Sequence, residues 1–180
     1  IDEGSFTEAS PLDPSSPYSA SKAGGDMLVS AFNHTYGSDS LIVRASNNYG
    51  PRQHPEKLIP LVILNCLHGD RIPVYGSGTQ VRNWLFVRDF NAAIGTVLEK
   101  GEAGQVYNVG GPDEMANLDV VRAILELTGR DESLVTHVED RLGHDRRYSI
   151  DTTKIRALGW SPRRDRAGTL DLTVTWDQRN

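Results

Sequence analysis

The stretch Ser16-Pro17-Tyr18-Ser19-Ala20-Ser21-Lys22 decides the first element of the fold. Ser15 or Ser16 can accept a hydrogen bond from the first free N–H groups of a helix, and Pro17 suits the first turn because it lacks an N–H. Apolar residues then recur at helical spacing to about Tyr36, and Gly37 is a typical helix stop. The pattern predicts a long helix that carries Tyr18 and Lys22.

Tyr18 and Lys22 are four residues apart, so a helix places them on one face. A free phenol titrates near pH ~10, and a neighbouring ammonium favours the phenolate. Such a pair can take a proton from a substrate hydroxyl while a nicotinamide takes a hydride. The spacing alone is a weak signal, because a surface tyrosine and a solvated lysine also fit it.

Composition limits the class of protein. With 180 residues, of which 38% are hydrophobic and 24% charged, the chain is long enough for one globular domain with a core. A net charge of −5 argues against a nucleic-acid partner. Cys66 is the only cysteine, which excludes an internal disulfide and favours a reducing cytoplasm. Without a signal peptide or a run of 18 apolar residues, we expect no membrane partner.

The rest of the chain alternates between predicted strands and helices. We predict strands at 41–45, 73–76, 84–87, 105–109 and 134–138, and helices at 58–67, 88–99, 118–127 and 152–158. Segment 46–51 is predicted to be a loop at a strand end, where ligands gather in open α/β sheets. Segment 169–176 fits a helix or a strand. The expected fold is α/β: residues 1–180 as a single unit, the C-terminal part of a doubly wound, Rossmann-like parallel sheet with a smaller substrate-binding lobe.

Six ordered motifs carry a family resemblance. They are Ser16 to Lys22, Ser46-Asn47-Asn48-Tyr49-Gly50-Pro51, Pro55-Glu56-Lys57-Leu58-Ile59-Pro60, Val81-Arg82-Asn83-Trp84, Tyr107-Asn108-Val109-Gly110-Gly111 and the run from Asp140 to Tyr148. In this order they resemble the extended short-chain dehydrogenase/reductases, and among these most closely the dTDP-glucose 4,6-dehydratases. The resemblance covers about Phe6 to Trp160.

The resemblance implies a catalytic role for Tyr18 and Lys22. The tyrosine at this position takes the proton of the sugar C4 hydroxyl while hydride leaves C4 for NAD, and the lysine holds the nicotinamide ribose and favours the phenolate. Asn48 matches an asparagine near the cofactor. The implied reaction dehydrates dTDP-glucose to a 4-keto-6-deoxy sugar nucleotide, with no net consumption of NAD, in deoxysugar biosynthesis.

The resemblance also implies a sugar-nucleotide site. The matching substrate-binding positions are Asn47, Lys57, Leu58, Pro73, Val74, Tyr75, Arg82, Asn108, Asp140, Arg141 and His144. Among them Arg82 is the strongest candidate, because the guanidinium fork suits phosphate oxygens. Without the motif, an arginine on an edge strand is more often a solvated side chain. The five histidines lack metal-ligand spacing, so we expect no metal.

Two parts that the family needs are missing from this sequence. No G-x-G-x-x-G turn joins a strand to a helix, and the Thr-Asp-Glu segment of the family lies upstream of the first residues here. In the family its Asp protonates the leaving C6 hydroxyl and its Glu removes the C5 proton. We therefore expect these residues to be the C-terminal portion of an enzyme whose N-terminal dinucleotide-binding half is absent, and to be inactive alone.

Two alternatives stay open. A sugar-nucleotide 4-epimerase or decarboxylase of the same family keeps the Tyr-Lys pair but lacks the Asp-Glu pair. A non-catalytic sugar-nucleotide-binding module would bind without turnover. Because related enzymes pair through helix bundles, the full-length protein is expected to be a homodimer.

Overall fold

The computed structural model describes residues 3–163 and 165–180. Six α-helices and eight strands alternate along this part of the chain. The helices are α1 (Pro17–Tyr36), α2 (Leu58–His68), α3 (Val87–Lys100), α4 (Asn117–Thr128), α5 (Thr153–Ala157) and α6 (Arg166–Arg179), with a 3₁₀ turn at Glu132–Leu134. The strands are β1 (Ile42–Ala45), β2 (Asn47–Tyr49), β3 (Ile72–Tyr75), β4 (Val81–Phe86), β5 (Val106–Val109), β6 (Asp113–Ala116), β7 (Val135–Val138) and β8 (Arg147–Tyr148).

The described strands form three small sheets in which parallel pairing dominates. β1 pairs with β5, and β3 pairs with β7, both in parallel. β4 lies between β2 and β6 in the third sheet and also pairs with β8. Only the β4–β6 pair is antiparallel, among the strand pairs that the structure describes. Parallel strands require crossover connections, which the helices supply.

Two hydrophobic clusters hold these sheets and helices together. The larger one joins α2, α4 and α6 to β2, β3 and β4, and Ile63 of α2 and Ile124 of α4 are completely buried in it. The smaller one packs α3 and α5 against β1, β4 and β5, with Leu85 and Val109 in its interior. Burial of these side chains is the main favourable contribution to folding.

Helix α1 is formed by local signals. The Ser16 hydroxyl accepts a hydrogen bond from the Ser19 N–H at 3.1 Å, with Pro17 as the first helical residue. Gly37 ends the helix in the left-handed conformation, at φ 62°. None of the twenty residues of α1, all of which lie in the described part, is buried.

Most predicted elements and the α/β fold class are confirmed. The helix that ends at Gly37, the helix ended by Gly69 and the strand before Ser46 all lie where the sequence placed them, within a residue or two. The open choice at 169–176 is decided in favour of a helix, because Asp165 caps α6 and Leu170 and Val174 pack into the larger cluster. Tertiary packing there overrides the strand propensity of the β-branched run.

Three predictions about strands were wrong or incomplete. Segment 46–51 is not wholly a loop, because Asn47–Tyr49 pairs in parallel with Trp84–Phe86 and buries Tyr49. β4 begins at Val81 rather than Trp84, because its first half pairs with β6. β6 and β8 were missed, since both are short and are stabilised by partners distant in sequence.

No described helix has the length and apolarity that crossing a bilayer needs.

Candidate active site

Tyr18 and Lys22 lie in the first two turns of α1, and both side chains are exposed, Tyr18 by 74%. The Ser16 cap fixes where the helix starts, so Tyr18 is its second residue. One turn separates the phenol from the ammonium, which places them on the same face. A phenol held in this way is accessible to a substrate and to a cofactor.

Asn47 and Asn48 lie in β2, directly beyond the carboxyl end of β1. Asn47 is exposed, whereas Asn48 is half-buried and its Oδ1 atom is buried without a hydrogen-bond partner. Buried acceptors are normally satisfied, so an unpaired oxygen at a sheet edge is a candidate ligand contact. This edge is where open α/β sheets bind ligands.

Five of the predicted site residues lie at the end of β3, near the start of β4 and in the loop that follows β7. This arginine cluster consists of Tyr75, Arg82, Asp140, Arg141 and His144. The Arg141 guanidinium lies 4.8 Å from the centre of the Tyr75 ring, in a cation–π contact. Tyr75 is 43% exposed, so its ring is open to solvent as well.

Arg82 and Arg141 lie near enough in the arginine cluster for the charge of Arg141 to act on Arg82. Burial lowers the pKa of Arg82, Asp145 opposes this change, and the positive charge of Arg141 adds to it. The Arg82 Nη1 donates to the Val81 carbonyl at 2.8 Å, which holds the half-buried side chain in place. Two cations that repel each other at close range form a good site for a doubly charged anion such as a pyrophosphate.

Asp140 organises the loop that carries Arg141 and His144. Its Oδ1 accepts from the Arg141 backbone N–H at 2.8 Å and lies 2.6 Å from His144 Nδ1, and its Oδ2 accepts from Gln80 Nε2 at 2.8 Å. The hydrogen bond with His144 is the largest of the effects that lower the pKa of Asp140. With three protein donors, the carboxylate is better suited to hold the loop than to bind an anion.

The same loop reaches the start of α1. A Cβ atom built on Gly143, which has φ 67°, would lie 3.7 Å from the Ser15 carbonyl oxygen. Ser15 directly precedes the residue that caps α1. The arginine cluster and the Tyr18 end of α1 therefore border the same region of the surface.

The remaining candidates line the path towards α2 and along β3. Lys57 precedes the first residue of α2, is exposed and pairs with Glu56 at 3.0 Å. Leu58 is half-buried against the larger cluster. In β3, Pro73 is half-buried and Val74 is buried in the core, so Val74 offers a ligand mainly its backbone.

Asn108 occupies a different environment, inside the protein. Its side chain is 2% exposed, and its Nδ2 donates to the Phe6 carbonyl at 3.1 Å. Its backbone N–H donates to Glu8 Oε1 at 2.9 Å. Direct contact with a nucleotide stays a prediction for Asn108, while these bonds hold the segment that leads to α1.

Sequence reasoning missed two polar residues beside the arginine cluster. Gln80 Oε1 and Asn117 Oδ1 are buried and lack hydrogen-bond partners, and the Asn117 N–H donates to the Gln80 carbonyl at 3.0 Å. Gln80 directly precedes the Val81-Arg82-Asn83-Trp84 motif, which was a usable signal. Asn117 had none, because it follows the unpredicted strand β6. Two unpaired acceptors here suit a ligand with N–H or O–H donors.

The candidate residues suit a polar, negatively charged ligand. Among the described residues, no group of three His, Cys, Asp or Glu side chains is arranged to hold a metal ion. The candidate residues comprise an exposed phenol and ammonium, unpaired amide oxygens, and two arginines, of which Arg141 lies against an aromatic ring. These groups can remove a proton and bind phosphate, which is the chemistry that a sugar-nucleotide enzyme needs.

Several known proteins are similar to this chain in sequence. The family model described as GDP-mannose 4,6 dehydratase matches residues 1–171. The chain is 52% identical over 183 aligned residues to a dTDP-glucose 4,6-dehydratase of Xanthomonas campestris pv. campestris, covering 96% of this chain and 52% of that protein. It is 51% identical over 162 residues to the low-salt glycan biosynthesis protein Agl12 of Haloferax volcanii, covering 90% and 52%. The chain thus spans about half the length of the curated relatives it matches.

A solved structure agrees with this relationship. The crystal structure of DesIV, a dTDP-glucose 4,6-dehydratase from Streptomyces venezuelae with NAD bound, superposes with a TM-score of 0.98 at 49% identity. The match covers all of this chain and 56% of the DesIV chain. The resemblance drawn from the six motifs is confirmed, and the chain belongs to the GDP-mannose 4,6 dehydratase family.

Proposed function

We propose that the full-length protein that contains this chain is an NAD-dependent dTDP-glucose 4,6-dehydratase. The observation that carries the proposal is the exposed Tyr18 and Lys22 pair at the start of α1, next to the loop of the arginine cluster. The relatives, about 50% identical, favour this reaction among those that such a pair can serve. The product is a 4-keto-6-deoxy sugar nucleotide.

Tyr18 acts as the base towards the sugar C4 hydroxyl. Lys22, one turn further along α1, places a positive charge where it favours the phenolate. The deprotonated oxygen receives the C4 hydroxyl proton, and its exposure on α1 leaves it open to the sugar. A positioned base of this kind contributes about 10²- to 10⁴-fold to the rate.

The residues present fit the nicotinamide end of NAD. Lys22 is exposed, so its ammonium can reach the ribose hydroxyls, and the unpaired Asn48 Oδ1 lies in β2, just beyond the carboxyl end of β1. When bound, NAD accepts the hydride from C4 and returns it later in the cycle. The relative DesIV was crystallised with NAD.

The arginine cluster binds the nucleotide part of the substrate. Arg82 and Arg141 bind the pyrophosphate, while Tyr75 offers a ring face to the sugar or base. His144 and Asp140 hold the Arg141 loop, and Asn47, Lys57 and Leu58 border the path towards α1.

Elimination of water across C5 and C6 needs groups that these 180 residues do not supply. The Thr-Asp-Glu segment and the glycine-rich turn are absent from the sequence, so we propose that both lie upstream in the full-length protein. The 180-residue chain alone is then inactive, while its arginine cluster keeps some affinity for nucleotide.

The test uses full-length protein, NAD and dTDP-glucose deuterated at C4. We expect NMR to detect a 4-keto-6-deoxy product that carries the deuterium at C6. Tyr18→Phe should lower kcat by about 10²- to 10⁴-fold, since it removes the base and leaves the ring. Tyr36→Phe, at the other end of the same helix and also exposed, is the matched control and should keep wild-type kcat.

Each other outcome has its own meaning. Full turnover by Tyr18→Phe would contradict the role of the phenol. A C4 epimer in place of the keto sugar would make the protein an epimerase, and tight binding of dTDP without turnover by the wild type would make it a binding module.

We also propose that the full-length protein is a homodimer in which a second copy covers apolar residues of α1. Met27, Leu28 and Phe32 are each more than half exposed on this helix. An exposed patch of this kind on a long helix is typical of an interface. Light scattering should give twice the protomer mass, and Leu28→Glu should reduce it towards one protomer.

A further inference from the structure

An ion pair attaches α1 to strand β1 close to the Tyr18 and Lys22 pair. Arg44 Nε donates to Asp26 Oδ2 at 2.7 Å, and both side chains are only about one-quarter exposed, at 22% and 25%. Within this chain, the contact joins the helix to the sheet.

Asp26 belongs to the same helical row as Tyr18 and Lys22. The three residues are spaced by four, so Lys22 has Tyr18 one turn before it and Asp26 one turn after it. A lysine and an aspartate at this spacing are neighbours and readily form an ion pair. In the part of the chain that the structure describes, Asp26 is instead paired with Arg44.

Arg44 is itself held in place from two sides. Its Nη1 donates to the Glu8 carbonyl at 3.3 Å, and its Cα is paired in register with that of Asn108 in β5. Asn108 in turn donates its backbone N–H to Glu8 Oε1. The guanidinium is therefore positioned by β1, β5 and the segment before α1.

Several other ionisable groups lie near this contact, among them Glu8, whose carbonyl accepts from Arg44. Arg44 and Asp26 act on the nearby Tyr148, whose pKa burial raises, and Asp145 acts on it as well. Because the Tyr148 hydroxyl stays neutral near pH 7, Arg44 is the cation that balances Asp26 from the sheet side. Lys22 is the cation that would balance it from the helix itself.

We propose that Arg44 is a positioning residue that holds the Asp26 carboxylate away from Lys22. Lys22 then directs its ammonium towards Tyr18 and the nicotinamide ribose. The inference rests on the proposed roles of Tyr18 and Lys22. Without Arg44, Asp26 keeps a half-buried charge and takes Lys22 as its partner, which removes the cation from the phenol.

The test follows the pH profile of kcat/KM for the full-length protein with NAD and dTDP-glucose. A Lys22 ammonium that pairs with Asp26 no longer favours the phenolate, so the acidic limb of the profile should move to higher pH. Arg44→Met should lower kcat/KM by about tenfold to a hundredfold and move the limb by about one pH unit towards alkaline values.

The double variant gives the sharpest result. In Asp26→Asn with Arg44→Met, the neutral amide cannot hold the Lys22 ammonium, so the acidic limb should return to its wild-type position. Asp26→Asn alone should leave the limb unchanged. Arg122→Met, on α4, breaks a surface ion pair with Glu132 of the 3₁₀ turn and is the matched control, which should leave the limb unchanged.

The outcomes separate this inference from the proposed function. If Tyr18→Phe is inactive but Arg44→Met keeps the wild-type limb, the ion pair has a structural role only and the inference is wrong. The inference is also wrong if the double variant keeps the alkaline shift. If Arg44→Met does not fold, Arg44→Gln decides by the same criteria. If Tyr18→Phe is fully active, the proposed function fails first.

Discussion

Helices α1 and α2 are formed in opposite ways. α2 has eleven residues, five of them buried, and no side chain caps its start. α1 has twenty residues, none buried within this chain, and a serine side chain caps its start. Both helices carry a proline in the first turn and end at a left-handed glycine. Within this chain, which spans about half the length of its relatives, α2 is stabilised by packing and α1 depends more on the cap at its start.

This difference agrees with the roles of the two helices, since α2 packs the core and α1 carries candidate site residues. α2 supports the larger cluster and presents only its first residues to the site. α1 carries the exposed Tyr18 and Lys22, which need access to ligands. The cap at Ser16 and the Arg44–Asp26 ion pair set the position of this helix within the chain.

Truncating one apolar side chain in each helix is the most direct test of this difference. Ile63→Ala in α2 should lower the free energy of unfolding by about 2–5 kcal/mol, because it leaves a cavity in the core. Leu28→Ala in α1 should change that free energy by less than about 0.5 kcal/mol in the 180-residue chain. Urea titrations of the two variants measure both effects. Equal losses would mean that α1 is packed as firmly as α2.

Removing the capping side chains of two helices gives a second test. Ser16 caps α1 and Asp165 caps α6, which contributes Leu170 and Val174 to the core. Replacing either cap with alanine should cost the helix about 1 kcal/mol. We expect Asp165→Ala to lower global stability, and Ser16→Ala to speed amide hydrogen exchange only in α1. Faster exchange throughout the chain in Ser16→Ala would contradict this contrast.

The smallest expected effect concerns acid stability on the α1 side. Arg147 donates to both oxygens of Glu114, at 2.7 and 2.9 Å, and to the Gly4 carbonyl in the segment that leads to α1. The Arg147 hydrogen bond lowers the pKa of Glu114, so the pair stabilises the fold above the unfolded-state pKa, near pH ~4.3. That stability is lost as the pH falls through the lower folded-state pKa.

Glu114→Gln is the variant that isolates this contribution. It should be less stable at pH 7 by at most about 1 kcal/mol, because the pair is partly exposed and screened by solvent. Between pH ~5 and ~3 it should lose less stability than the wild type does. If thermal melts show that the stabilities of the two proteins fall by equal amounts as the pH is lowered, the pair contributes nothing.

Local signals explain which parts of the fold could be predicted. α1 was placed from Ser16, Pro17 and Gly37, which act within one or two turns. β6 and β8 could not be placed, because each is stabilised by β4, to which it is not adjacent in sequence. The strand at Asn47–Tyr49 was hidden for the same reason, since its turn-forming residues favour a loop unless β4 pairs with them.

The candidate site, too, could be predicted only in part from the sequence. Motif order was enough to select Tyr18, Lys22, Arg82 and Arg141. It could not predict that Arg82 and Arg141 act on each other, or that Asn108 lies inside the protein, because both depend on contacts between distant segments. Asn117 became a candidate only through its unpaired oxygen.

The strand geometry of Asn47 and Asn48 has a consequence for ligand binding. Successive side chains of a strand point to opposite faces, so two identical neighbours experience different surroundings, one exposed and one half-buried. Under the proposed function, Asn47 contacts the substrate on one face of the strand, and Asn48 contacts the cofactor on the other. A one-residue insertion ahead of it would exchange the two assignments while leaving the composition of the segment almost unchanged.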